Sequence, residues 1–363
     1  MRLVWAGVTG VLVETAGMQH LSVALDDGTD GVALNYQALA GPCANGDRVL
    51  LNTTAVELAL GTGGKHFVVA RLGEGRGVAL DDASGGHIMK LRYTPMQRDV
   101  ISVESPESPH HETMAEADTL AGMPVVCCGL HSQVPLVAAA AKAIDPALRI
   151  AYCMTDSGSL AIALSDVARA SVEAGLLDST ITCGQAFGGQ LEAVNLHSGL
   201  LAARCVVGAD LAIAAIGPGV VGTATPFGHG GVAQGEALNA VAALGGTAVA
   251  CLRMSFADAR ERHRVVSHHS LAALARIALA PAIVAMPTLE HALAEQVDEA
   301  LRAAGVLEKH KAIRASAGCS APPDLRGVAV RTMGRTFDDD PAFFDAAFAA
   351  GEVAVRLTRG ETV

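Results

Sequence analysis

The sequence predicts an α/β protein in two parts: a small N-terminal β-barrel or sandwich, then a doubly wound, mostly parallel α/β domain. Three observations carry that reading. From about Gly122 onward, short apolar runs alternate with helical patterns, as in successive βαβ units. Those runs are apolar throughout, as expected of strands covered on both faces. Before about residue 115, short runs alternate polar and apolar residues at close spacing, which suggests a barrel or sandwich. The expected division is a β-rich domain over 1–115, a Rossmann-like α/β domain over 116–308, and a C-terminal extension over 309–363 that packs back on the body.

In the first part, residues 8–14 and 20–25 alternate as half-buried strands do, and Asp26-Asp27-Gly28 supplies a turn. Residues 32–36, 48–51, 66–71 and 87–93 complete the set, with a glycine-rich turn around Gly61-Thr62-Gly63-Gly64. Lys90 and Arg92, two residues apart, are expected on one face of the last strand. Residues 98–114, with two prolines and four acids, read as an exposed linker.

In the second part, strands are expected at 124–128, 149–154, 179–183, 211–216, 247–253 and 282–286. Helices are expected at 133–144, 159–174, 191–204, 232–244, 267–279 and 288–304. The tail from Lys309 is less regular and is broken by Pro322-Pro323. Its last helix, 342–350, opens after Asp338-Asp339-Asp340-Pro341, with proline near the first helical position.

Composition narrows the class. Hydrophobic residues make up 51% and charged residues 17% of 363, enough for a large interior. Aromatics are only 3%, so Ala, Val and Leu do the packing, which suits helices lying close on a sheet. Net charge is −11 without any Lys/Arg-rich run, which argues against a nucleic-acid partner. A local positive pocket is still expected around Arg253, Arg260, Arg262, His263 and Arg264. The eight cysteines form no C-x-x-C pair and sit mostly in Val/Ala-rich runs, so they read as small apolar residues in a reducing compartment. The opening MRLVWAGVTGVLVETAG lacks the basic and uninterrupted apolar regions of a signal peptide, and 211–216 is too short to span a bilayer. A soluble cytoplasmic protein without a membrane partner is expected; the Ala-rich helices leave a homodimer open.

In an open α/β sheet, ligands bind outside the carboxyl ends of the strands, and five polar clusters fall there. The first is Gly129-Leu130-His131-Ser132, with Ser132 the expected helix cap. The second, Thr155-Asp156-Ser157-Gly158-Ser159, places hydroxyls and a carboxylate before a helix, where free N–H groups favour an anion or a metal. The third runs from Gly184 to Gln190; its paired glycines let a ligand approach the backbone, and Gln185 both donates and accepts. The fourth, Gly217-Pro218-Gly219-Val220-Val221-Gly222-Thr223, fits G-x-G-x-x-G. Pro226 and the glycines after it oppose an immediate helix, and no acid stands where a ribose would need one, which argues against NAD. A loop that holds an anion through its N–H groups is the better use.

The fifth cluster is the densest: residues 253–263, then Ser267-His268-His269-Ser270. Asp258, His263, His268 and His269 are candidate ligands for a divalent metal, although adjacent imidazoles point apart on a helix. The alternative is anion recognition by Arg260 and His263, with one histidine as acid–base group. A solvated charged loop is the third reading.

The site expected from these clusters takes a small anionic molecule. His131, Ser132, Asp156, Ser157, Gln185, Gly188, Gly189, Gly217, Gly219, Thr223 and Arg260 would line it. His263, His268 and Asp258 would carry proton transfer. No nucleophile elbow, P-loop, H-E-x-x-H or kinase pattern is present. The cofactor is left open, as is the choice between an enzyme-like protein and a non-catalytic metabolite sensor or scaffold.

The stretches GHIMKLRYTP, SPHHE, GLHS, TCGQAFGGQLEAVN, GPGVVGT, ADARERHR and SHHS cover much of the chain. In them the sequence resembles a bacterial family of unknown function, DUF3866. The resemblance implies family membership and assigns no reaction or catalytic residue. Two positions depart from the family pattern: Gln190, where an acid is common, and His229, where an aromatic is common. Both weaken a metal site that needs an acid at 190.

Overall fold

The alternating runs near the N-terminus close on themselves. A computed structural model of the chain describes residues 1–59, 63–72, 85–315 and 322–361. These divide into two units, Met1–Ile101 and Ser102–Val363. In the first, β1 (Leu3–Thr15), β2 (Met18–Leu25), β3 (Asp30–Tyr36), the short helix α1 (Gln37–Ala40), β4 (Arg48–Asn52), the short helix α2 (Thr54–Glu57) and β5 (Lys65–Leu72) follow in order. The five strands form a closed barrel, β1-β2-β3-β5-β4. Only the β3–β5 pairing in it is parallel. Closure removes the exposed edges an open sheet would present. Ala6, Val8, Leu21, Val23, Val49 and Leu51 fill the interior. A separate hairpin joins β6 (Ile88–Lys90) to β7 (Arg98–Val100). The strand ends at Lys90 and Leu91 turns with positive φ, so Lys90 and Arg92 do not share a strand face. Gly61 and Thr62 of the expected turn lie outside the described residues.

The second unit runs α3 (His111–Glu116), β8 (Pro124–Cys128), α4 (Val134–Ile144), β9 (Ile150–Thr155), α5 (Asp166–Glu173), β10 (Ser179–Cys183), β11 (Leu191–Ala193), α6 (Leu196–Cys205) and β12 (Leu211–Ile216). It continues with α7 (Ala233–Ala243), β13 (Thr247–Cys251), β14 (Met254–Ser255), β15 (Val265–Val266), α8 (His268–Ala272), β16 (Ile283–Pro287), α9 (His291–Ala303), β17 (Lys311–Ala315) and α10 (Pro341–Thr358). Eight strands form one sheet in the order β11-β10-β9-β12-β8-β13-β16-β17. Every pairing in it is parallel. Successive side chains of one strand enter different cores, because strand periodicity is two. Val126, Ile150 and Tyr152 meet residues of α4, α5 and α10. Val125, Ala151 and Cys153 meet residues of α6, α7 and α9. This two-faced burial is the reason the strand runs are continuously apolar, and it leaves the strand ends as the place for polar side chains. No helix among the described residues is long and apolar enough to cross a membrane.

Several boundaries differ from expectation. The helix expected from 159 starts at Asp166, where Ser165 Oγ accepts from Ala168 N at 2.9 Å; a 3₁₀ turn precedes it. Residues 191–193 are a strand, and the helix after them is capped by Asn195, whose Oδ1 accepts from Ser198 N. The expected exposed linker is packed: Val103 and Met114 are buried, Val103 N donates to Glu192 O, and Glu104 Oε1 accepts from Val194 N. β17, unexpected from its polar sequence, adds an eighth strand. α10 runs to Thr358 with twelve buried residues.

α10 lies against α4 at Gly351, where a Cβ would come within 2.5 Å of Val137 O and 2.8 Å of Ala140 Cβ. Gly351→Val is therefore expected to cost about 2 kcal/mol or more by overpacking, read as a lower urea midpoint. On the same helix, burial raises the Asp345 carboxyl to about 6, and its Oδ1 has no hydrogen-bond partner. Folding thus favours its protonated form. Its stabilising contribution is complete below about pH 4 and lost as pH rises through about 6. Asp345→Asn is expected to raise the melting temperature at pH 8, worth about 2 kcal/mol, with no gain at pH 4.

Candidate functional site

β13 is apolar to its last residue and then delivers a charge. Arg253 follows two positions after Cys251 and is only 5% exposed. The chain fixes it there through its backbone: Arg253 N donates to Ser270 Oγ at 3.0 Å, and Arg253 O accepts from Ser267 N at 2.8 Å. The β14–β15 hairpin thereby folds the segment 254–266 back over the strand end. Among the described residues, no carboxylate lies within salt-bridge distance of the Arg253 guanidinium. Its side-chain contact is Nη1 to His269 Nδ1, at 3.3 Å. Burial, then Arg260, push its pKa down to about 10, so it stays charged at neutral pH. A cavity of about 160 Å³ opens beside it, lined also by Val220 to Gly222 of the loop after β12 and by Arg260, Arg262, His263 and His269.

Histidines crowd the same place. His229 and His269 stack with centroids 3.9 Å apart and planes within 4°. His268 lies 4.4 Å from His269 and 5.0 Å from His263 by ring centroid. The expectation that 268 and 269 point apart fails because they open α8, immediately after the cap Ser267, where the turn has only begun. His263 Nδ1 is 2.7 Å from Ser267 Oγ. Burial and then Arg253 lower its pKa to about 3; burial and then His229 lower His268 and His269 as well. These imidazoles are neutral at pH 7.

Asp258, expected to take part in proton transfer or metal binding, is occupied otherwise. Its Oδ1 accepts from Arg260 N at 3.0 Å and Nε at 2.9 Å; its Oδ2 accepts from Arg260 Nη2 at 2.8 Å and Arg335 Nη2 at 3.2 Å. These partners, Arg260 first, hold its carboxyl well below the usual range. Arg335 Nε also reaches Asp340 Oδ2, which accepts from Ser255 Oγ. Asp258 is thus an anchor that aims Arg260 toward the cavity.

The remaining expected residues divide. His131 sits in a satisfied chain: Ser165 Oγ donates to its Nε2 at 2.5 Å, its Nδ1 donates to Tyr152 Oη at 3.0 Å, and Tyr152 donates to Ile216 O at 3.1 Å. Burial lowers its pKa to about 4. Neither ring nitrogen is left for a ligand. Ser132 does not cap α4; it lies inside a 3₁₀ turn, and Gln133 supplies the local contact by accepting from Leu130 N. Gly188 N donates to Glu192 Oε1 and Gly189 N to Thr182 Oγ1. Thr223 bonds within its own loop, to Gly228 O and Thr225 Oγ1.

Asp156 and Ser157 line a second cavity of about 280 Å³ with Gly184, Asn195, His197 and Glu236. Asp156 Oδ2 accepts from Gln185 N at 2.9 Å. Two carboxylates give this cavity the wrong sign for an anion. Ala233, four residues after His229 of the imidazole cluster, lines this cavity as well. The loop of Gly217 and Gly219 joins the second strand-end cluster, with Ser159 N donating to Pro218 O at 2.7 Å.

Arg253 was expected in a positive pocket and His269 only as a candidate metal ligand, and His229 was not among the expected site residues. A charge ending an apolar strand was the available signal for Arg253. Nothing local marked His229, which lies thirteen residues beyond the end of β12.

The sequence profile of a family described as a protein of unknown function (DUF3866) matches residues 32–351, spanning both units. The chain belongs to this family. No curated protein and no solved structure matches it. The DUF3866 match covers the Arg253 cavity, the imidazole cluster and the acidic cavity, and it attaches no reaction to them.

Asp258→Asn leaves Arg260 and Arg335 without their shared anion. We expect a loss of about 2–3 kcal/mol, less than for a fully buried pair because both arginines are partly exposed, measured by urea denaturation at pH 7.

Proposed function

We propose that the cavity at the end of β13 binds a small anionic metabolite, with Arg253 as its main charge partner. One observation supports this above others: a guanidinium 5% exposed, with no carboxylate at salt-bridge distance among the described residues. Burying an uncompensated charge is costly, and a bound anion removes the cost. Arg260 and Arg262 add positive charge at the same cavity. About 160 Å³ suits a phosphate or a short carboxylate rather than a nucleotide.

A non-catalytic, sensing role is favoured by a separate observation. A general acid or base works best with a pKa near the operating pH, whereas His263 is lowered to about 3. A cytoplasmic location belongs to the same proposal; six of the seven described cysteines are buried as free thiols.

Calorimetric titration with phosphate, sulfate and small dicarboxylates tests the reading. At least one is expected to bind the wild-type chain, and Arg253→Met to weaken it by about 30-fold or more. Without ligand, the same variant is expected to melt higher, because it removes a buried charge. Equal anion binding by Arg253→Met, or none by wild type at millimolar concentration, would exclude this role.

A further inference from the structure

Two of the imidazoles beside Arg253 each bury a ring nitrogen that has no hydrogen-bond partner. His229 Nε2 lies 3.1 Å from Pro226 O. A carbonyl only accepts, so Nε2 holds the proton and Nδ1 keeps a bare lone pair. His229 is 5% exposed, and its Nδ1 has no hydrogen-bond partner; neither has the buried Nε2 of His268. A buried acceptor left unpaired costs about 1–3 kcal/mol. One ring nitrogen from each of His229, His268 and His269 lies within 4.8 Å of the others.

We infer that His229, His268 and His269 bind one divalent transition-metal ion of the zinc class. Imidazole donors without a carboxylate suit zinc, copper or nickel and not magnesium or calcium, which take oxygen. A tetrahedral ion about 2.1 Å from each nitrogen holds its ligands about 3.4 Å apart, so on loading the rings close in and the parallel His229 and His269 planes tilt toward a common point. Three protein ligands leave a fourth position for water or an anion. The Pro226 carbonyl already orients His229 as an outer hydrogen bond orients a ligating imidazole. Gly231 makes the arrangement fit. A Cβ there would come within 2.8 Å of His269 Cβ and 3.0 Å of His229 Nδ1.

The third ligand has a condition attached. Arg253 only donates, so His269 Nδ1, 3.3 Å from Arg253 Nη1, is the acceptor and Nε2 carries the proton. Coordination through Nε2 puts the proton on Nδ1, facing the guanidinium, and the contact opens. The site therefore competes with Arg253 for His269. It rests on the histidine lone pairs and stands whether or not an anion binds.

Calorimetric titration of the chelator-treated full chain with Zn²⁺ decides the matter. One ion per chain is expected. His229→Gln and His268→Gln are each expected to weaken binding about 100-fold or more, and Co²⁺ to give the visible absorption of a tetrahedral site. Arg253→Met removes a positive charge and the donor on His269, so it is expected to bind Zn²⁺ at least as tightly as wild type. No binding at micromolar Zn²⁺, or unchanged affinity in both histidine variants, overturns the inference. Should those variants fold poorly, weaker zinc binding by Arg253→Met overturns it. Zinc binding that persists while phosphate and carboxylate binding is absent refutes the anion reading alone.

Discussion

A guanidinium held out of water without a carboxylate beside it sets the terms for its whole neighbourhood. Four arginines, Arg253, Arg260, Arg262 and Arg335, act on this space, and two carboxylates, Asp258 and Asp340, answer them. Both carboxylates go to Arg260 and Arg335. The excess positive charge then falls on Arg253, and burial first, with nearby positive charge after it, keeps the adjacent imidazoles neutral. This local excess stands against a chain whose net charge is −11. A confined cleft of one sign focuses its field where the bulk charge does not reach.

The sheet explains why such a cluster forms at this end. Strands covered on both faces have no room for polar side chains along their length, so chemistry-bearing residues gather where the strands stop. β8, β12 and β13 are adjacent in the sheet, and the connections leaving them differ in kind. The one after β8 turns directly into α4 and buries His131 in structural hydrogen bonds. Those after β12 and β13 wander before reaching a helix, and they return His229 and His268 to the same spot. Connection length thus separates a histidine tied into the fold by hydrogen bonds from the histidines that cluster beyond the end of β13.

That difference also marks the limit of what the residues announced. The barrel and the parallel sheet were legible because alternating and continuous apolar runs report one-faced and two-faced burial directly. β11 was not, because three strand residues directly before a helix merge into its pattern. β17 was not, because Lys311 and Arg314 make an edge strand look like a loop. Within the site, Arg260 and His263 stood out by local density. His229 did not, since its place depends on a 3₁₀ turn that brings it beside α8. Asp258 looked reactive for its residue type, whereas Arg260 engages both its oxygens and Arg335, 77 positions away, adds a further bond.

A cation among guanidiniums looks contradictory until the protonation states are considered. The imidazoles are neutral, so a divalent ion at their lone pairs meets no proton it must displace at His229 Nδ1. The repulsion from Arg253 and its neighbours is what remains. An anion bound in the cavity beside Arg253 would reduce that repulsion, and by linkage the ion would strengthen the anion by the same factor. Arg253 would then stand between the two, as a competitor for His269 on one side and a partner for the anion on the other. An anion that draws the guanidinium away from Nδ1 releases the third ligand. Coupling of the two sites then follows from one side chain that cannot serve both at once.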